Sequence, residues 1–128
     1  WRFGDYLAIG AGAHGKVTRS NEVFRFQRTR QPQHYIRQFS EPSTVVSSHD
    51  LKPIVSADLP GEFMMNALRL KDGVDNSVFE ARTGQSVEVI AAQRVALIKL
   101  GLMDADSTRL RATDLGYRHL DSVIERFI

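Results

Sequence analysis

The sequence predicts an α+β chain: a short strand, a glycine-rich loop and a β-hairpin, followed by a mainly helical, winged-helix-like domain. Three observations predict it. Polar residues alternate with β-branched and aromatic ones through VTRSNEVFRFQRTR, which is the period of a hairpin and not of a helix. From Asp58 onward apolar residues recur at helical spacing, with Gly73, Gly84 and Gly101 as punctuation. Before the last helical stretch, LMDADSTRLRAT reads as a second small hairpin turning at Ala105-Asp106-Ser107.

Taken in order, Leu7-Ala8-Ile9 is expected to be a short buried strand and residues 10–15 a glycine loop. The hairpin turns at Ser20-Asn21-Glu22. Pro32 is placed to open a short helix through HYIRQF, with Tyr35, Ile36 and Phe39 on one side. EPSTVVSSHDLKP is rich in turn formers and reads as a linker. Asp58 then caps a helix through LPGEFMMNALRLK whose apolar side is Phe63, Met64, Ala67, Leu68 and Leu70. SVFEARTG comes next, stopped by Gly84. Ser86 caps VEVIAAQRVALIKLG, with Val87, Ile90, Ala91, Leu97 and Ile98 in register. Thr113 caps the closing helix, with Leu115, Leu120, Val123, Ile124 and Phe127 inward. The expected organisation is therefore residues 1–31, a short helix and linker over 32–57, and a winged-helix-like domain over 58–128.

Composition sets limits. A chain of 128 residues accommodates one domain, or one small domain and an appendage. At 42% hydrophobic and 25% charged it is ordinary globular material, with no apolar run of membrane-spanning length and no secretory signal pattern, so a cytoplasmic protein is expected. Zero cysteines excludes disulfides and cysteine-held zinc or iron–sulfur sites within these residues. The chain opens at Trp1 without an initiator methionine, and strand signals come at once; a piece of a longer protein is expected. Charge is uneven. Up to Phe39 seven Lys/Arg face two carboxylates, whereas ten face thirteen from Ser40 on. A basic first part suits an anionic ligand, nucleic acid or an acidic neighbour, and equally a solvated hairpin.

The loop in YLAIGAGAHGKV nearly fits two phosphate-binding signatures. Gly10, Gly12 and Gly15 match G-x-G-x-x-G, and Gly10 to Lys16 match the front of G-x-x-x-x-G-K-[ST]. Both need a helix directly after the loop, because its N-terminal N–H groups and dipole hold the anion. A hairpin pattern stands there instead, and Val17 replaces the hydroxyl residue that would meet magnesium. A phosphate cradle is therefore not expected. His14 is the polar side chain of interest, displayed just past a buried strand where α/β barrels place ligand contacts. An ordinary turn histidine is the plain alternative.

Elsewhere the plain readings prevail. Met64-Met65 beside Phe63 has helical core spacing. His34, His49 and His119 lie in polar contexts. Glu62 and Arg69, two helical turns apart, read as a capping carboxylate and a surface cation. For DNA binding the reading helix should begin with hydrogen-bonding side chains. The candidate begins Val87-Glu88-Val89-Ile90-Ala91-Ala92, so nucleic acid is not the expected partner, although Arg109 and Arg111 stand on the wing. A stand-alone winged-helix module that binds nucleic acid or protein is the alternative function.

As a set, several motifs have a family likeness. WRFGDYLAIGAGAHGKVT, Pro32 with Tyr35, EFMMNALRL, DGV, Phe79 to Gly84 (F..RTG), GLM, and Thr113 to Gly116 (T..G) resemble, in that order, the C-terminal region of the oxygen-independent coproporphyrinogen III oxidase-like family. The likeness is greatest to its branch of radical S-adenosylmethionine heme chaperones and covers essentially the entire chain. GAGAHG with EFMMNALRL is the specific part. The resemblance implies that the glycine-rich strand is the last strand of a truncated radical-SAM barrel. Ala13 and His14 would face S-adenosylmethionine, with Gly10, Gly12 and Gly15 giving the backbone room. It also implies that Trp1 ends a His-Asn-x-x-Tyr-Trp heme motif. The helical part would cover the open side of the barrel and shape the porphyrin entrance.

In the intact parent a 4Fe–4S cluster, held by an upstream Cys-x-x-x-Cys-x-x-Cys motif, would cleave S-adenosylmethionine to a 5′-deoxyadenosyl radical. True oxidases use it to turn two propionates of coproporphyrinogen III into vinyl groups; the chaperone branch binds heme and passes it to an acceptor protein. Alone, this chain is expected to bind no cofactor and to be inactive, its partner being the N-terminal radical-SAM domain. Ala8 and Gln85 depart from the family pattern, which more often has glycine and leucine there.

Overall fold

A computed structural model of the protein describes residues 2–20, 22–40 and 51–128. Trp1, Asn21 and residues 41–50, which include His49 and most of the expected linker, lie outside the described residues. Helices and small antiparallel sheets together make an α+β structure, and the chain divides into two compact units.

One unit runs over Asp5–Ile54. Its frame is the hairpin, β1 (His14–Arg19) and β2 (Glu22–Gln27), paired antiparallel with His14 opposite Gln27 and Arg19 opposite Glu22. Ser20 takes a left-handed conformation (φ 50°) at the turn. Val23 and Phe26 are both buried while Glu22 and Gln27 at the two ends are exposed; three residues apart, the two buried side chains lie on opposite faces of β2, so the simple alternation read from the sequence is not kept. Helix α1 (Pro32–Phe39) starts where the missing N–H of Pro32 costs nothing, and buries none of its residues fully. The two-residue strand β3 (Lys52–Pro53) extends the sheet by pairing with Phe24 and Arg25.

The expected buried strand at Leu7–Ile9 is not formed. Tyr6 makes an isolated bridge to Lys16, after which residues 7–9 have no regular structure. Leu7 is 73% and Ile9 85% exposed, while Ala8 between them is buried. The alternation is that of extended chain with one face covered. What it lacks is a neighbouring ladder: two short antiparallel strands cannot cover a strand on both sides.

The second unit comprises residues 2–4 and Val55–Ile128. A 3₁₀ turn (Ser56–Asp58) leads into α2 (Leu59–Ala67), then β4 (Val74–Asp75), α3 (Asn76–Thr83), a 3₁₀ turn (Val87–Ile90), α4 (Ala91–Lys99), β5 (Arg109–Leu110), α5 (Asp114–Arg118) and α6 (Leu120–Ile124). β4 pairs antiparallel with β5, so the wing hairpin expected within residues 102–113 is reduced to an isolated bridge between Met103 and Ala112, its second arm pairing with β4 instead. The core is Phe63, Met64, Ala67, Leu68, Phe79, Leu110 and Val123, all without exposed surface. Phe63 holds its centre: its ring lies 5.6 Å from Phe3 and meets Phe79 edge-on at 5.1 Å, a favoured aromatic geometry.

Three local expectations change. Asp58 does not cap α2; its backbone is already helical after the 3₁₀ turn and its side chain accepts no capping bond. The helix expected from Ser86 is divided into a 3₁₀ turn and α4, although Ser86 does cap it, accepting from the Glu88 amide. The closing helix breaks at His119 (φ −116°, ψ 35°), whose amide reaches back three residues to Gly116 instead of four, and Leu115 is left exposed.

Candidate functional site

The glycine loop is fastened by its own backbone. Gly10 (φ 103°) and Gly12 (φ 74°) occupy conformations open to glycine, which bend the chain from the extended segment into β1. The Gly10 amide donates to the Tyr35 hydroxyl (2.9 Å), the Gly12 amide to Thr29 O (2.7 Å) and the Ala13 amide to Gly10 O (3.3 Å). In return the Arg28 amide donates to Ala13 O (2.8 Å), and Arg28 Nε reaches Ala8 O (3.5 Å). Three of the amides that a phosphate cradle would need are thus already taken. Gly15 continues as a strand and not as a helix, and Lys16, the lysine of the near-match, is buried. Both phosphate signatures fail on geometry.

The proposed contact residues fall on this loop. Ala13 is half-buried. His14 opens β1 with its side chain exposed, and it forms no side-chain hydrogen bond among the described residues. Gly15 is buried directly beneath the Phe26 ring, where an added β-carbon would stand 2.8 Å from its Cε2 and nearer still to other ring atoms. Trp1 lies outside the described residues. Sequence reasoning does not single out Tyr35 and Arg28 as parts of this loop. The Pro32/Tyr35 spacing is a signal for the first; nothing local distinguishes Arg28 from the other hairpin arginines.

The arginines on and beside the wing are engaged within their own unit. Arg111 forms an ion pair and hydrogen bond with Asp104, and this guanidinium holds the Asp104 carboxyl below the ordinary aspartate range. Arg109 Nε lies 3.4 Å from Asp75 Oδ1, an ion pair without hydrogen-bond geometry. Arg94 on α4 is turned onto the wing carbonyls of Asp106 and Arg109. Each arginine is occupied by its own unit.

Neither unit fits an iron–sulfur cluster. The chain has no cysteine, and no group of three or more metal-ligating side chains occurs among the described residues.

The motifs of the second unit have structural duties. Thr83 donates to Phe79 O and accepts from the Gln85 amide, while Gly84 takes the left-handed cap of α3. Thr113 caps α5 by accepting from the Gly116 amide, donates to Gly101 O, and gives its own amide to Leu102 O. A family model described as the HemN C-terminal domain matches residues 56–119, half of the chain and within this unit.

The chain belongs to that family.

Beyond this HemN C-terminal domain, similarity runs over the whole chain. Heme chaperone HemW of Haemophilus influenzae is 35% identical over 129 residues, and heme chaperone HemW of Escherichia coli 36% identical; each alignment takes in all of this chain and 32% of the relative. The mitochondrial radical S-adenosyl methionine domain-containing protein 1 of Dictyostelium discoideum is 22% identical, over all of the chain and 33% of its own length. The chain thus spans about a third of the length of the curated relatives it matches. No solved structure matches it. No helix among the described residues is long and apolar enough to cross a membrane.

Proposed function

We propose that this HemN C-terminal domain and the hairpin preceding it are the C-terminal part of a radical-SAM heme chaperone, which binds heme and passes it to an acceptor protein. One observation carries the reading: the likeness to heme chaperones takes in the glycine loop as well as the HemN domain, yet fills only about a third of those relatives. Oxidative decarboxylation of coproporphyrinogen III is the neighbouring activity in the family; the two bacterial relatives are named heme chaperones, which favours the chaperone.

In this reading Leu7–Ile9 is the last strand of a radical-SAM barrel whose other strands belong to the rest of the polypeptide. The bare faces of Leu7 and Ile9 support it, since a strand that carries two large aliphatic side chains ordinarily buries them. Ala13 and the exposed His14 then face the S-adenosylmethionine end, with Gly10, Gly12 and Gly15 making room. The cluster would belong to the remainder of the polypeptide, since the donors here do not fit it, and the chain alone is inactive. The winged-helix-like order of α2, β4, α3, α4 and the wing covers the barrel and shapes the porphyrin entrance.

The test is to read the coding sequence upstream of Trp1. Three cysteines spaced Cys-x-x-x-Cys-x-x-Cys, and His-Asn-x-x-Tyr abutting Trp1, are expected. An upstream region without the cysteines refutes the radical-SAM assignment.

A further inference from the structure

Arg28 is a buried cation to which the proposed function gives no role. It is 8% exposed, and no ion pair to it forms among the described residues. Its guanidinium carbon lies 5.1 Å from the centre of the Phe26 ring and 4.8 Å from that of Phe39. Nε is engaged, at the limit of hydrogen bonding, with Ala8 O. The two terminal nitrogens meet no acceptor among the described residues. Contacts with ring faces return only part of what burying a charge costs. A guanidinium fork without an anion is shaped for a planar, two-oxygen acceptor.

Tyr35 supplies a second unused donor, held on the same glycine loop. Its hydroxyl oxygen accepts from the Gly10 amide, but its own O–H finds no acceptor among the described residues. Its ring packs against Phe39 at 4.7 Å, so the same phenylalanine touches Tyr35 and Arg28. Both donors are tied to the backbone of the Ala8–Gly10 stretch, one through Ala8 O and the other through Gly10 N.

We propose that Arg28 and Tyr35 form a carboxylate-binding site beside the glycine loop, the guanidinium taking the two carboxylate oxygens and the Tyr35 hydroxyl donating to one of them. The site deepens the heme-chaperone reading and rests on it for the identity of the ligand. A porphyrin propionate and the amino-acid carboxylate of an adenosyl sulfonium share this chemistry. The second source places the cofactor's tail at Arg28; the first places the edge of the macrocycle there.

The experiment has two arms. In the full-length polypeptide, hemin, hemin dimethyl ester and S-adenosylhomocysteine are titrated into wild type, Arg28→Gln and Arg28→Lys. A porphyrin source predicts at least tenfold weaker hemin binding by Arg28→Gln, a partial loss in Arg28→Lys, and ester binding equal in all three. An adenosyl source predicts the same losses for S-adenosylhomocysteine and none for hemin. Equal affinities of wild type and Arg28→Gln for both acids overturn the site and leave the family reading intact; a wild type that binds neither overturns that reading. In the second arm, sodium propionate is titrated into the 128-residue chain and followed by NMR. A saturable shift of the Arg28 Nε–H and Gly10 amide signals, absent from Arg28→Gln, supports the site independently of any cofactor. A linear, unsaturated drift identical to that of the exposed Arg30 overturns it.

Discussion

Gly116 lies so close to Leu102 that a methyl group on it would stand 2.8 Å from the Leu102 carbonyl carbon and nearer still to the oxygen. That approach joins the GLM segment to the T..G segment, with Thr113 bonded to Gly101 O and Leu102 O on the same side. The obstacle is backbone and cannot rotate away. Gly116→Ala is expected to destabilise the HemN domain by about 3 kcal/mol, the upper part of the range for overpacking a closed site. Chemical denaturation followed by the far-UV signal measures it; an unchanged midpoint contradicts the packing.

Motifs of this kind are legible because their physics is local. A threonine three residues before a glycine, or Arg-Thr-Gly at the end of an apolar period, announces a cap within one helical turn. Leu7-Ala8-Ile9 misleads for the opposite reason. Its composition is that of a buried strand, but burial is conferred by neighbouring strands, and the hairpin supplies a single bridge at Tyr6. The link from Tyr35 to Gly10 spans 25 residues, so nothing near either one announces it. Leu115 is placed inward by a helical period that the break at His119 interrupts.

Gly15 carries the hairpin's version of the same constraint, under the ring of Phe26. Gly15→Ala should displace that ring, and with it the Arg28 guanidinium stacked upon it, at a cost of about 2 kcal/mol. Amide exchange across β1 and β2 should accelerate while that of α2 and α3 remains unchanged. Uniform acceleration in both units, or none in either, argues against the separate hairpin core.

The wing is expected to respond to acid. Asp104 is held below its ordinary pKa chiefly by its hydrogen bond from Arg111, and Asp106 chiefly by the Thr108 side chain. A carboxyl with a depressed folded-state pKa contributes stability that is complete above the unfolded value, ~3.9, and is lost as pH falls through the folded one. The Arg111 Nε–H signal should therefore hold its position from neutral pH to about pH 4 and move only below it. In Asp104→Asn that transition should vanish, leaving a signal already at the unpaired position. Persistence of the acid transition in Asp104→Asn would assign it to another group.

The most direct test of the barrel-strand assignment compares hydrogen exchange at Leu7, Ala8 and Ile9 in the 128-residue chain and in the full-length polypeptide. None of these three amides has an acceptor among the described residues, so rapid exchange is expected in the chain alone. Pairing with a neighbouring strand should slow them by about a thousandfold or more in the longer protein. Equally rapid exchange in both would mean that no strand pairs there, and the assignment of this segment to a radical-SAM barrel would fall.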